Sequence, residues 1–282
     1  MSHRGSPPGS ALAPASSFDY ESKRWGASPV FARPWHIQGL KLRYALDDLS
    51  AIRSGRVLDV GCGGGNMAKA IKRERTELEV HGVDTSRNAI AAAGADPQGV
   101  VFRVGTAERL PYDDDHFNAV TMFDVLEHVD DPAHVLKEIA RVLAPGGLFH
   151  IALPLEAQPK TIYHLIGAGT RWKSKLRYGG HVQAFSEDDY RTLSGSCSLP
   201  VTRVRWSYHH FFSLIDVLYF SFLELRGGAR TSVEDFVTAR RGWSAAPMRL
   251  AWGVVSSMGW YEARAFRWMP GACGHFTCIR QG

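Results

Sequence analysis

Two aspartates and a run of glycines carry the most direct chemical information in this chain. Asp59-Val60-Gly61-Cys62-Gly63-Gly64-Gly65 sets an acid just ahead of a G-x-G-x-G turn, and Asp84 follows the turn by about 20 residues. Glycines at such a turn let the backbone bend sharply and approach a ligand without interference from a Cβ. The spacing departs from the dinucleotide fingerprint, because Asn66 stands where its third glycine belongs. Asp59 adds a second departure. A carboxylate beside the turn repels a pyrophosphate in a partly dry cleft, and it suits a ligand with an ammonium group and no phosphate. Read alone, Asp84 would more often cap the helix that follows; in register with Asp59 and the glycines it can accept from both hydroxyls of a ribose.

The elements that must position these residues are legible from Arg56 to Leu153, where short apolar runs alternate with helical patterns, as in βαβ units on a parallel sheet. Strands are expected at 56–60, 78–83, 100–104, 117–123 and 148–153. Helices are expected at 66–75 and 86–93, with a further one capped by Asp131 and Pro132, running through Val142 and Leu143 and ended by Pro145-Gly146-Gly147. A leading helix is expected over Trp35–Leu49. Further on, Ser186 should cap a helix at Glu187-Asp188-Asp189-Tyr190, Val201–Tyr208 alternates as a strand, and Gly274–Ile279 makes a closing seventh strand. The expected fold is α/β: a Rossmann-like, doubly wound, seven-stranded sheet with a helical C-terminal insertion.

With turn, acid and strands in this order, Val57–Gly65 resembles motif I of the class I S-adenosylmethionine-dependent methyltransferases, in particular the ubiquinone-biosynthesis (type 11) group. Four more segments match in order: Gly82–Ser86, Gly105–Pro111, Phe123–Val129 and Arg141–Gly147. The resemblance spans about Gly55 to Pro154. It implies S-adenosyl-L-methionine as cofactor, a ligand whose α-amino group and sulfonium agree with Asp59. By the same resemblance, Gly61, Gly63 and Gly65 contact its methionine part, Asp59 reaches the amino group, and Asp84 with Thr85 holds the ribose. Thr106 and Ala107 lie along the adenine; the family usually has an Asp where this chain has Thr106, which weakens that contact. Phe123 and Asp124 lie near the methionyl group.

Two histidines are candidate bases for a substrate hydroxyl. His128 follows Glu127 as in related enzymes, and a structural role against a backbone carbonyl is the alternative. His181, in Gly180–Ser186, matches a segment that faces the substrate in many of these enzymes, and a packing role is its alternative. The reaction is expected to be a one-step displacement with the acceptor at oxygen, without a metal or a covalent intermediate. The alternatives are a non-catalytic cofactor-binding protein on the same scaffold and a nicotinamide-dependent oxidoreductase. The second is disfavoured by Asn66 and Asp59. No Asn-Pro-Pro-Tyr-type motif or Pro-Cys nucleophile points to nucleic acid.

Bulk properties set the remaining bounds. The 282 residues carry a formal net charge of +5, and from Lys160 onward Lys and Arg outnumber Asp and Glu about two to one. Four cysteines without a CxxC pair argue against a zinc site or a disulfide framework and for a reducing, cytoplasmic setting. Residues 1–17 read as a disordered arm without the apolar core of a signal peptide, and 18–54 as a leading helical segment with Tyr20 in a possible lid. Residues 55–160 are expected to form the cofactor-binding domain, and 161–282 a substrate-side region. Within the latter, an insertion at about 209–272 combines apolar runs (Phe211–Phe220, Leu250–Val255) with Arg226, Arg230, Arg240, Arg241, Arg249, Arg264 and Arg267. That pairing suits a small-molecule or lipid-linked acceptor and peripheral contact with an anionic membrane. The alternative is a helical cap packed on the sheet.

Overall fold

In the computed structural model, residues 29–32, 36–168, 173–226 and 246–282 are described. The chain runs α1 (Ile37–Leu49), β1 (Gly55–Val60), α2 (Asn66–Glu74), β2 (Leu78–Asp84), α3 (Arg87–Gly94), β3 (Val100–Val104) and β4 (Phe117–Phe123). A short 3-10 turn, Leu126–His128, leads to α4 (Pro132–Val142) and β5 (Leu143–Pro154). Then come α5 (Ile162–Ile166), α6 (Ser174–Gly179), α7 (Glu187–Ser196), β6 (Val201–Ser207), α8 (His210–Arg226), α9 (Ala246–Ala265) and β7 (Cys273–Ile279).

The sheet order is β3-β2-β1-β4-β5-β7-β6. The first five strands are parallel, and β7 runs antiparallel between β5 and β6. The order reverses between β1 and β4, and in open α/β sheets ligands sit beyond the carboxyl ends of the strands that flank such a reversal. The glycine turn leaves β1 and Asp124 leaves β4, so topology brings both to one crevice.

Alternation along the strands assigns their faces. Leu58, Val60, Val120, Met122, Phe149 and Ile151 pack with α4 and α7 on one side. Val57, Ala119 and Leu148 pack with α1 and α2 on the other. Asp59 is paired in register with Thr121, and both share the second face. That register explains a buried polar contact taken up below.

Helix starts follow the chemistry of their caps. Asp131 accepts from His134 N at the start of α4, and Ser186 and Asp189 form a reciprocal capping box on α7. One boundary differs from expectation. Leu143 opens β5 by pairing with Phe117 instead of closing α4, and the register shifts before Leu148 pairs with Ala119. Gly146, at φ 73°, lets Ala144–Gly147 bulge while Gly146 N donates to Arg280 O and Arg280 N to Gly147 O. A glycine-rich bulge reads as a helix stop in sequence although the strand is already under way.

The insertion contributes α8 and α9. Phe212, Trp260 and Ala263 pack on Ile37 and Leu40 of α1, and Ser256 Oγ accepts from Ile37 N. The N-terminal arm, Tyr20, Trp35, Arg230, Arg240 and Arg241 lie outside the described residues, as do the side chains of Arg226 and Arg249.

Candidate active site

Asp59 is 1% exposed. Its Oδ1 accepts from Thr121 Oγ1 at 2.9 Å, while Oδ2 is buried without a hydrogen-bond partner. Burial pushes the carboxyl up to about 7 against the lowering effect of the Thr121 bond, with a smaller repulsion from Asp84 adding to the rise and the backbone of Ala68 opposing it. A buried carboxylate oxygen can only accept, so Oδ2 calls for a donor, ideally a cationic one.

The turn after Asp59 is built tightly. Gly61 (φ 71°) and Gly65 (φ 81°) are left-handed, and a Cβ on them would meet Val125 Cγ2 at 2.3 Å and Phe102 Cζ at 2.5 Å. Four of the turn's amides are spent inside the protein. Gly61 N and Cys62 N donate to Val83 O, Gly65 N to Cys62 O, and Gly63 N to Asp84 Oδ2 at 2.8 Å. A phosphate-binding loop directs such amides at its ligand. This one folds them away, in agreement with the acid beside it.

Asp84 braces the crevice: besides Gly63 N, it accepts from Ser86 N at 2.9 Å through Oδ1. Ser86, not Asp84, caps α3, through its bond from Ala89 N. Each carboxylate oxygen has two acceptor directions, so two anchoring bonds still leave Asp84 able to accept from ribose hydroxyls. Thr85 is exposed beside it. Thr106 is also exposed at the rim, bridged through its backbone to Arg109, and Ala107 is buried behind it. The partly buried Phe123 ring packs on the α1/α2 side, 5.7 Å from the His150 ring.

Asp124, at φ 53°, brings in a partner that the sequence reading missed. Lys41 of α1, 4% exposed, donates to both its carboxylate oxygens, at 2.8 and 2.5 Å. Burial alone would depress this ammonium, but Asp124 more than compensates and holds it above the usual lysine range. A signal was present: Lys41 falls on the stripe of α1 that carries Ile37, Leu40, Ala45 and Leu49, where a charge is out of pattern.

The two histidines meet. Glu127 O accepts from Val182 N and Gln183 N at 2.8 and 3.0 Å, which zips the His181 segment onto the 3-10 turn. The rings of His128 and His181 lie edge to face, with centroids 4.9 Å apart. His128 Nδ1 donates to Gly180 O at 3.0 Å. A carbonyl can only accept, so the neutral ring keeps its lone pair on Nε2. Burial and the charge of His181 push this imidazole down to about 4. His181 Nδ1 lies 2.8 Å from Glu156 Oε1. The two atoms are not aligned for a hydrogen bond, so the contact is a close ion pair. Burial works against the imidazolium, but Glu156 outweighs it and raises the pKa of His181. Lys175 extends the network, 3.5 Å from Glu156 and 3.0 Å from Asp216, and Tyr163 donates to the same Asp216.

Comparison with known proteins completes the assignment. Residues 35–194 match the family model described as a methyltransferase domain. The chain belongs to that family. Its methyl donor is S-adenosylmethionine, and the site fits that donor: the buried Asp59 leaves Oδ2 for a donor such as an ammonium, and Asp84 keeps acceptor directions for hydroxyls. A ubiquinone biosynthesis O-methyltransferase of Alkalilimnicola ehrlichii is 36% identical over 159 residues, which cover 54% of this chain and 63% of that enzyme. The enzyme of the same name from Marinobacter nauticus is 30% identical over 209 residues, covering 66% of this chain and 86% of its own. Among solved structures, a putative sarcosine dimethylglycine methyltransferase from Galdieria sulphuraria superposes with a TM-score of 0.56 at 19% identity, covering 86% of each chain, a likeness of fold.

Proposed function

We propose that this methyltransferase-family chain transfers the methyl group of S-adenosylmethionine to a hydroxyl of an apolar small-molecule or lipid-linked acceptor. The observation that carries the proposal is the pairing of two unlike ends of one crevice. At one end, Asp59 and Asp84 offer carboxylates to an ammonium and a ribose. At the other, His128, just past β4, offers an imidazole nitrogen to an acceptor, with the His181 ring packed against it.

The bound cofactor supplies a methyl group on a sulfonium, ready for in-line displacement. The protein's own share is alignment, and alignment of two reactants can be worth roughly 7–11 kcal/mol of barrier. Asp59 and Asp84 fix the donor's position. His128 takes the hydroxyl proton at Nε2, and the Gly180 carbonyl fixes the ring's tautomer and orientation. Lys41 holds Asp124 at the point where the two halves of the crevice meet. The quinone-pathway names of the two relatives support an aromatic hydroxyl as the first acceptor to test.

The insertion supports an apolar acceptor and contact with a membrane surface. On α8, Leu214, Leu218, Phe222 and Leu225 are exposed at helical spacing, and Leu250, Val254, Met258 and Tyr261 repeat the pattern on α9. Of the acids that interrupt the apolar run of α8, Asp216 is partly buried and pairs with Lys175, while the exposed Glu224 accepts from Ser174. No helix among the described residues is long and apolar enough to cross a membrane, so the reading is a surface contact.

Calorimetry with S-adenosylmethionine and with NAD, followed by methyl transfer to prenylated catechols using labelled cofactor, tests the proposal. Binding of NAD and not of the sulfonium ligand overturns it. So does methylation of amines with no product from any hydroxyl acceptor.

A further inference from the structure

Glu156, two residues past the end of β5 and 3% exposed, is held in place by the amides on either side of it. Leu155 N donates to Ala272 O at 2.8 Å, and Ala157 N donates to Phe185 O at 3.1 Å. Phe185 belongs to the segment that carries His181, and Val182 and Gln183 of the same segment donate to Glu127 O. Backbone bonds thus set one buried carboxylate and both imidazoles in fixed relation to each other.

A buried carboxylate needs a cationic partner. Two cations are within reach of Glu156, His181 Nδ1 at 2.8 Å and Lys175 Nζ at 3.5 Å. Lys175 lies nearer to Asp216, at 3.0 Å, and its ammonium sits over the Tyr163 ring. Charges therefore alternate along a largely buried row, from His181 through Glu156 and Lys175 to Asp216. Lys175 has a carboxylate of its own in that row, so Glu156 is left to serve His181. Burial works against the charge on Glu156, but His181 and Lys175 outweigh it and hold the acid down at about 2.

A charge on His181 bears directly on His128. The two rings meet edge to face with centroids 4.9 Å apart, and two imidazolium ions that close in a dry site repel strongly. The pair therefore holds one proton beyond neutrality, and its surroundings decide which ring carries it. Burial and, more weakly, Lys175 oppose the charge on His181, and Glu156 is the largest of the groups that outweigh them. Glu127 does not compete: burial pushes it up to about 8 against the charge of His181, with Asp124 adding to the rise, so it keeps its own proton at neutral pH. Asp124 is committed to Lys41.

We propose that Glu156 is a positioning residue of the reaction: it holds the pair's proton on His181 and so reserves His128 for the acceptor hydroxyl. The hydroxyl proton passes to His128 Nε2 while the methyl carbon bonds to oxygen and leaves sulfur, whose positive charge is discharged in the same step. Glu156 acts through His181 and not on the reacting atoms. The inference rests on the hydroxyl reading above for the role of His128, but not for the placement of the proton.

The test reads the proton first and the rate second, on the full chain labelled with 15N at histidine. Signals are assigned by their loss in His128→Gln and His181→Gln. At pH 6 the wild type should show His181 doubly protonated and His128 neutral with its proton on Nδ1, and Glu156→Gln should show His181 neutral. In methyl transfer to a prenylated catechol at saturating S-adenosylmethionine, Glu156→Gln and His181→Gln should each move the acid limb of kcat up by about one pH unit or more. At pH 5 each should keep about half or less of its own rate at pH 7.5, where the wild type keeps most of it. The double variant should match the singles, because all three lose the same charge, and Glu156→Asp should return the limb toward its wild-type position. Calorimetry with S-adenosylmethionine shows which variants are folded; if Glu156→Gln is not, His181→Gln and the wild-type spectrum decide. A neutral His181 in the wild type at pH 6, or a uniform loss of rate with the limb unmoved, overturns the proposal and leaves Glu156 a structural partner of Lys175. The expected spectrum in a chain that methylates no hydroxyl would overturn the role of His128 while the placement of the proton stands.

Discussion

Replacing Asp59 with Asn separates what the carboxylate costs the fold from what it does for the ligand. The folded carboxyl sits at about 7 against an ordinary 3.8, because burial, with Asp84 beside it, disfavours the charge. A folded value above the unfolded one means that stability is complete while the acid is protonated in both states. It then declines as pH rises above the unfolded value and levels off past about 7. Between pH 4.5 and 7.5 this linkage removes about 3 kcal/mol from the wild-type chain. Asparagine does not titrate and keeps an oxygen for Thr121. Its amide group lacks a partner where Oδ2 was, a cost of roughly 1–3 kcal/mol that does not change with pH. The stability difference between variant and wild type should therefore swing toward the variant by about 3 kcal/mol from pH 4.5 to pH 7.5, or about 6–12 °C in Tm.

Cofactor binding should move the opposite way. An ammonium selects the ionised carboxylate, whose population rises from about a tenth at pH 6 to about three quarters at pH 7.5. The wild-type Kd for S-adenosylmethionine, measured by calorimetry, should fall about eightfold over that range, and Asp59→Asn should bind weakly and without this dependence. Denaturant unfolding at the two pH values reads the first effect. A stability difference that is equal at both, or a variant that binds the cofactor as tightly as wild type, refutes the electrostatic account of this turn.

Three further sets of substitutions probe separate parts of the molecule. Gly61→Ala combines a left-handed φ with a Cβ 2.3 Å from Val125 Cγ2; it should cost about 2–4 kcal/mol in chemical denaturation, and Val125→Ala in the same chain should restore only the clash component, leaving about 1–2 kcal/mol of backbone strain. Removing either partner of the Lys41–Asp124 pair should give unequal results: Asp124→Ala leaves a buried ammonium and should cost about 3–5 kcal/mol, whereas Lys41→Met removes the buried charge and should cost under about 1 kcal/mol, with equal losses counting against a buried Lys41. Leu218→Glu with Met258→Glu, both exposed, should leave Tm within about 1–2 °C of wild type and abolish flotation with phosphatidylglycerol vesicles; unchanged flotation would remove α8 and α9 from the membrane reading.

What could be read in advance divides along a physical line. Strands β1 to β4, the glycine turn, Asp59 and the caps at Asp131 and Ser186 are local patterns, each set by a few consecutive residues, and they stand where the sequence puts them. Lys41, Glu156 and Lys175 reach the site only through packing. Lys41 comes from a helix that precedes the whole sheet, and Glu156 and Lys175 from the segments after β5. A reading by motif weighs His128 and His181 one at a time, as a base or as a packing residue. The choice is in fact a joint one, because the backbone bonds from Val182 and Gln183 to Glu127 place both rings against one buried carboxylate. Once they share that carboxylate, the proton affinity of either ring depends on the other: burial and the charge on His181 keep His128 neutral, the state a base requires. The protonation state of the pair decides how the acceptor hydroxyl is activated, so replacing each ring singly and both together has to precede any pH–rate profile taken as evidence for a histidine base.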